Sequence, residues 1–128
     1  DLRYQLDVER FNTKEIVEIE TSTGDYAEYA SWGKVFFVLQ GKECELTLFK
    51  QKGTDGFFLP FADGTTGIET YSSGRYIDVN VLANGQILLD FNLAYNPNCA
   101  YNHQLSCPIT PPENRLGPSV RAGEKTPE

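Results

Sequence analysis

The stretch KVFFVLQGKECELTL, residues 34–48, decides the fold class of this chain. Its first half is apolar on both faces from Val35 onward, as in a central strand that is covered on both sides. Its second half alternates, with Cys44, Leu46 and Leu48 on one face and polar residues between them. A short Gln-Gly-Lys-Glu turn joins the halves. The stretch therefore predicts a β-hairpin.

Period-two alternation predicts further strands on both sides of this hairpin. They cover residues 2–8, 17–21, 26–31, 57–61, 76–81 and 87–91. Pro60 predicts that its strand is an edge strand or carries a bulge. The Asn84-Gly85 pair predicts a tight turn that joins the last two strands as a paired hairpin. After Asn92 the alternation stops and proline becomes frequent.

About seven or eight closely spaced strands predict an all-β fold, an antiparallel barrel or sandwich with an irregular Pro-rich C-terminal segment. The pattern does not choose between barrel and sandwich. The length of 128 residues predicts a single domain, residues 1–128. Its polar C-terminal tail, from about residue 117, is predicted to fray at the end.

The chain is acidic, with a net charge of −7. This charge repels phosphates, so we expect neither nucleic acid nor anionic membrane surfaces as partners. The longest apolar stretch, Val35–Leu39, is too short for a membrane span. The chain begins at Asp1 without Met. We therefore expect a soluble protein, either cytoplasmic or exported with its signal removed, and the sequence does not decide its oligomeric state.

Two polar stretches carry a family resemblance: FADGTTGIETY, residues 61–71, and DFNLAYNPNC, residues 90–99. With them, the chain from about Tyr4 to Lys125 resembles bacterial and archaeal proteins grouped as domain of unknown function 1684. The resemblance implies no established activity, substrate or catalytic residue. Family members usually carry an extra N-terminal segment, and we expect this chain to lack it.

The same stretches concentrate polar side chains in loops, where binding sites usually lie on a rigid sheet. We predict a ligand site built from Asp63, Thr66, Glu69, Tyr71, Arg75, Asp90, Asn92, Tyr95 and Asn114. Arg75 begins the strand expected to pair with the one that holds Asp90, so we expect Asp90 and Asn92 to approach it. The arginine is interpreted either as half of a structural ion pair or as a clamp for an anionic ligand.

Three cysteines are present. Cys44 alternates with leucines and is expected to face the core. Cys99 and Cys107 lie in a Cys-x7-Cys arrangement that fits a disulfide, two packed thiols, or a metal site with His103. We favour the disulfide and predict no metal site, because zinc ligands usually form closer pairs. No cofactor is predicted. His103 is the only histidine, so any His-dependent mechanism must use it.

These observations leave three functional hypotheses. The first is a small-molecule-binding β domain whose polar pocket holds a small polar or anionic ligand. The second is a small enzyme, a hydrolase or isomerase, that uses carboxylate acid/base chemistry at Asp63, Glu69, Asp90 or Glu113. The third is a structural or interaction domain of the cell envelope, which would require a contiguous apolar surface patch.

Overall fold

The structure is a computed structural model that describes residues 2–51 and 56–126. This part of the chain forms seven strands and three single-turn 3₁₀ helices. The strands are β1 (Arg3–Leu6), β2 (Glu9–Glu20), β3 (Tyr26–Leu39), β4 (Lys42–Lys50), β5 (Phe57–Phe61), β6 (Arg75–Val79) and β7 (Ile87–Asp90). The 3₁₀ helices are Phe91–Leu93, Asn98–Ala100 and Pro112–Asn114. The polar composition of residues 50–56 predicts a loop between β4 and β5, and residues 52–55 of it lie outside the described residues.

The strands form two antiparallel sheets, one of five strands in the order β2-β3-β4-β5-β6 and one that pairs β1 with β7. The all-β, antiparallel prediction is therefore confirmed. The barrel alternative is wrong, because β2 and β6 end the order of the larger sheet and do not pair with each other among the described residues. Edges that stay unpaired leave the sheet open.

The hairpin predicted from residues 34–48 is confirmed as β3 and β4, with Val35 opposite Leu46. Its turn places Gln40 at φ 52° and Gly41 at φ 76°. Two consecutive positive φ angles are typical of the tight turns that match the twist of paired strands. β3 is longer than predicted, because the two short strands expected at 26–31 and 34–40 form one strand with an irregularity near Gly33.

The Asn-Gly turn forms, but the paired hairpin expected around it is wrong. Gly85 has φ 87°, and the Leu82 N–H donates to the Gln86 carbonyl at 2.7 Å. Beyond a single bridge between Val81 and Ile87, the flanking strands separate. β6 pairs with β5 and β7 pairs with β1. The alternating apolar residues of β6 and β7 are compatible with more than one antiparallel partner, so the Asn84-Gly85 turn alone did not determine which strands pair.

Of the two alternatives predicted for Pro60, the edge strand is wrong. β5 lies between β4 and β6, so it is not an edge strand. The ladder between β4 and β5 has one residue pair, Phe49 opposite Phe58. A proline lacks the N–H that a continuous ladder would require, and the two strands separate where Pro60 would face Thr47.

One main core is shared by both sheets. Its fully buried members include Val35, Leu46, Leu59 and Leu89, and a smaller cluster surrounds Phe49. The C-terminal segment joins the main core through Val120, which is 0% exposed. The tail from about residue 117 is thus packed on the sheets at least to this point, and its last two residues lie outside the described part.

Candidate functional site

An open groove of about 480 Å³ lies along β5 and β6. Phe58 from β5 and Tyr76 and Asp78 from β6 form its floor. Two irregular segments, residues 95–98 and 106–108, form the opposite wall. The volume lies in the range of small-molecule sites, which are usually concave and mostly aromatic or apolar with a few placed polar groups.

The alternation of β6 places its side chains on two faces. Ile77 and Val79 are buried in the core, at 1% and 2% exposure, while Tyr76 and Asp78 point to the groove. Tyr76 makes an edge-to-face contact with Phe58 at 4.6 Å between ring centroids. Aromatic pairs of this geometry favour a fixed arrangement, so the floor of the groove is built before any ligand arrives.

Tyr95 connects the wall to the floor. Its backbone exchanges two hydrogen bonds with Tyr76, both at 2.9 Å, and its hydroxyl donates to Asp78 Oδ1 at 2.8 Å. Burial, and then the Asp78 carboxylate, raise the pKa of Tyr95 well above its ordinary value. Burial likewise raises the pKa of Tyr76, whose hydroxyl donates to the Pro108 carbonyl at 2.5 Å. Both tyrosines therefore stay protonated and act as donors.

The groove has a simple charge pattern. Among its described lining residues, Asp78 alone carries a formal charge at neutral pH, and its side chain is exposed. The other polar groups are the side chains of Asn80, Asn98 and Ser106, together with Gln51. This lining suits a ligand that presents hydrogen-bond donors and a flat or apolar face.

Arg75, interpreted from the sequence either as half of a structural ion pair or as a ligand clamp, lies away from the groove in a buried ion pair with Asp63. The guanidinium Nη2 lies 3.6 Å from Asp63 Oδ2, and both side chains are within 1% of full burial. The Nη1 and Nη2 groups of Arg75 donate to the backbone carbonyls of Val120, Ala122 and Glu124, while its buried Nε has no hydrogen-bond partner among the described residues. Burial lowers the pKa of Arg75, and the Asp63 carboxylate opposes that shift.

Asp63 is equally occupied. Its Oδ1 accepts from the hydroxyls of Thr65 at 2.8 Å and Thr66 at 3.1 Å, and its Oδ2 accepts from the backbone N–H of Val120. The cavity next to Arg75 measures about 40 Å³. That volume holds a few water molecules and nothing larger. The ion pair thus fastens the C-terminal segment to β6.

Two further candidates of the same loop form local contacts. Glu69 pairs with Arg121 of the C-terminal segment at 3.2 Å. The Tyr71 hydroxyl lies 3.5 Å from the Cys99 carbonyl oxygen, and burial raises the pKa of this tyrosine. Both contacts join the loop between β5 and β6 to irregular segments that follow β7.

The expected approach of Asp90 and Asn92 to Arg75 is not observed. Asp90 lies at the end of β7, 3.5 Å from the guanidinium of Arg3 in the paired strand β1. Its Oδ1 caps the next 3₁₀ helix by accepting from the Asn92 backbone at 3.0 Å and from the Asn92 side chain at 2.9 Å. A carboxylate that caps a short helix is a common structural device.

Asn114 fills the gap between β4 and β5. Its side chain is 0% exposed and accepts from the Thr47 N–H at 2.8 Å. Its amide group donates to the carbonyls of Thr47 at 2.9 Å and Pro60 at 2.8 Å. The side chain therefore replaces the ladder hydrogen bonds that Pro60 does not form, since buried backbone groups require partners.

The structure consequently divides the nine predicted residues among separate places. Of the nine, Tyr95 alone lines the groove. The others lie in the Asp63–Arg75 network, at the contacts of Glu69 and Tyr71 with the C-terminal segments, at the end of β7, or between β4 and β5. Sequence reasoning missed Phe58, Tyr76 and Asp78. The alternation of β6 contained the signal, because it placed an aromatic and a carboxylate side chain together on the face away from the core.

Cys99 and Cys107 are reduced in the structure and buried. Cys107 lines the groove, and His103 lies on the exposed loop between the two cysteines. No group of three or more metal-binding side chains occurs in residues 2–51 and 56–126. The same residues contain no helix long and apolar enough to cross a membrane.

Fold and site together define the class: an all-β domain of two antiparallel sheets with an open, aromatic-lined groove at the end of the larger one. The chain belongs to the family described as "Protein of unknown function (DUF1684)", whose model matches residues 1–125. It is similar to the solution NMR structure of an uncharacterized protein from gene locus rrnAC0354 of Haloarcula marismortui. The two share 38% identity over 98% of this chain and 71% of that one, with a TM-score of 0.79. Comparison with the curated proteins gives no match.

Proposed function

We propose that the chain is a small-molecule-binding domain and that its ligand occupies the groove along β5 and β6. One observation carries the proposal: an open volume of about 480 Å³ combines ordered aromatic side chains with a carboxylate that reaches solvent.

The lining favours a small polar ligand. Asp78 Oδ1 already accepts from Tyr95, and the exposed carboxylate can accept from a ligand hydroxyl or amine as well. The rings of Phe58 and Tyr76 supply apolar area for the body of the ligand. An anionic ligand finds less support, because Arg75 is held in a buried ion pair away from the groove and Asp78 would repel an anion.

The two other hypotheses stay predictions. The enzyme hypothesis named Asp63, Glu69, Asp90 and Glu113, and none of these four lines the groove. A carboxylate acid/base mechanism would therefore have to use Asp78, with Tyr95 as its neighbour. The envelope hypothesis requires a contiguous apolar surface, and the exposed apolar side chains give it no specific support over the groove.

The experiment is native mass spectrometry of the protein as purified, followed by ligand screening with two-dimensional amide NMR. We expect shift changes to cluster at residues 76–80, 95–98 and 106–108. Asp78→Asn removes the charge at constant size, and Tyr95→Phe removes the hydroxyl at constant shape, so each should weaken binding without unfolding the domain.

Asp90→Asn is the matched control, because it removes a carboxylate of the same type at the end of β7, away from the groove. Binding that survives both groove variants but fails in this control would place the site at the end of β7. If a library of polar compounds shifts no groove resonance, the proposal is wrong.

A further inference from the structure

We propose that Cys99 and Cys107 form a thiol–disulfide modification site, in which an intramolecular disulfide forms by exchange with a low-molecular-weight disulfide. The proposal does not depend on what the groove binds. It rests on the contact between the Cys99 backbone and the Cys107 sulfur atom, and on the contacts that hold the surrounding backbone.

The two cysteines are in direct contact. The backbone N–H of Cys99 donates to the Sγ atom of Cys107 at 3.2 Å. The side chain of Cys99 branches from the atom next to this nitrogen, so the sulfur of Cys107 already lies beside it. Exposure is 1% for Cys99 and 7% for Cys107. Burial raises the pKa of Cys107, and the hydrogen bond from the Cys99 backbone N–H opposes that shift.

Contacts outside the loop fix the Cys107 end. Its carbonyl accepts from the Ser22 N–H at 2.9 Å, and its own N–H donates to Ser22 Oγ at 3.1 Å. The adjacent Ser106 hydroxyl donates to Thr21 Oγ1 at 2.7 Å. These bonds attach residues 106–107 to the turn between β2 and β3.

The Cys99 end is held by the 3₁₀ helix Asn98–Ala100 and by the Tyr71 hydroxyl at its carbonyl oxygen. Both ends of the loop are therefore held independently of any bond between the sulfur atoms. Disulfides form readily where the backbone already presents the two side chains to each other.

The thiol–disulfide exchange takes place in two steps. Cys107 is the more exposed thiol and borders the groove, so its thiolate attacks a small disulfide RSSR, forms a mixed disulfide and releases RS⁻. The Cys99 thiolate then attacks the Cys107 sulfur and releases the second RS⁻. The two cysteines lose two electrons, RSSR gains them, and the two thiol protons end on two RSH molecules.

The bond would join the two strips of groove wall. Asn98 and Ser106, the neighbours of the two cysteines, both line the groove. Reduction would leave the exposed loop between them, which includes His103, attached by hydrogen bonds alone. The redox state therefore sets how rigidly this wall is held.

The test treats the folded protein with oxidised glutathione, quenches it with acid, alkylates the remaining thiols in denaturant, and digests it with chymotrypsin. This protease cleaves after Tyr101 and Leu105, so the fragments that contain Cys99 and Cys107 stay joined only through a disulfide. We expect joined fragments, a loss of two hydrogens from the intact mass, and alkylation that falls from three thiols to one, at Cys44.

Cys44→Ser is the matched control and should give the same joined fragments. Cys99→Ala and Cys107→Ala should each abolish them; mapping of the wild-type protein decides the matter if either variant fails to fold. The proposal is overturned if the wild-type fragments separate at every glutathione ratio, if they carry glutathione without joining, or if they join only in denaturant.

Discussion

Replacement of Asn114 by alanine tests whether this residue holds the sheet together or belongs to a ligand site. The side chain is fully buried and makes three hydrogen bonds to the backbones of Thr47 and Pro60. Asn114→Ala would leave one N–H and two carbonyl groups without these partners between β4 and β5. At about 1.5 kcal/mol for each buried group, the free energy of unfolding should fall by about 4–5 kcal/mol.

This loss is a large part of the total stability of a domain, which is about 5–15 kcal/mol. Urea denaturation followed by Trp fluorescence measures it, because the single tryptophan, Trp32, packs against Phe57 at 4.5 Å between ring centroids. The matched control is Asn92→Ala, which removes an exposed asparagine bonded to Asp90 at 2.9 Å. It should stay within about 0.5 kcal/mol of wild type.

Asn114→Asp gives a second, pH-dependent readout. The carboxylate can still accept from Thr47 N–H but faces two carbonyl oxygens, so burial and repulsion raise its pKa in the folded state. A group with a raised folded pKa contributes its stability below the unfolded pKa and loses it as the pH rises. The difference in the free energy of unfolding between Asn114→Asp and wild type should therefore increase from acid to neutral pH. If Asn114→Ala unfolds within about 1 kcal/mol of wild type, the assignment of Asn114 to the sheet is refuted.

Three further predictions follow from contacts of the same kind. Asp63→Asn leaves the buried charge of Arg75 uncompensated and should lower the free energy of unfolding by about 3–5 kcal/mol in urea denaturation; an effect below about 1 kcal/mol would contradict the buried ion pair. The hydroxyl of Thr21 is the largest cause of the lowered pKa of Asp25, so Thr21→Val should raise that pKa in an NMR titration. The contribution of Asp25 to the free energy of unfolding is complete above the ordinary carboxyl pKa and is lost as the pH falls through the lowered value. An unchanged pKa of Asp25 in Thr21→Val would exclude the contact between the two side chains. A disulfide that closes the loop from Cys99 to Cys107 should raise the free energy of unfolding by about 2.5 kcal/mol, measured by comparing the oxidised and the reduced protein. No gain would mean that the disulfide constrains the unfolded chain no more than the reduced loop does.

The parts of the fold that could be predicted from sequence are those with local causes. The β3–β4 hairpin follows from a short apolar run, a turn at Gln40-Gly41 and an alternating return, all within residues 34–48. The partner of β7 could not be predicted in this way. Its apolar face is satisfied by any antiparallel strand, and the strand that pairs with it comes from the opposite end of the chain.

The candidate site shows the same division. The sequence correctly indicated that Arg75 forms an ion pair with a carboxylate. The expected partner was Asp90, whereas the partner in the structure is Asp63. Pro60 gave a usable signal, since an internal strand with a proline needs hydrogen-bond partners from elsewhere. Nothing in the local pattern identified Asn114 as that partner, because the two residues meet only when the C-terminal segment crosses β5.

Most of the polar residues that were predicted to form one binding site instead hold the irregular segment after β7 against the sheets. After β7 the described chain forms no further strand, so its backbone groups must bond to side chains or to carbonyls elsewhere. Asp63 and Arg75 provide several of those bonds to the backbone of residues 120–124, and the Asn114 side chain bonds in turn to the backbone of β4 and β5; all three side chains are buried. A ligand site requires the opposite condition: polar groups that reach solvent beside an open volume. Asp78 meets this condition in the groove, so function in this fold is better sought where polar side chains remain accessible than where they are most concentrated.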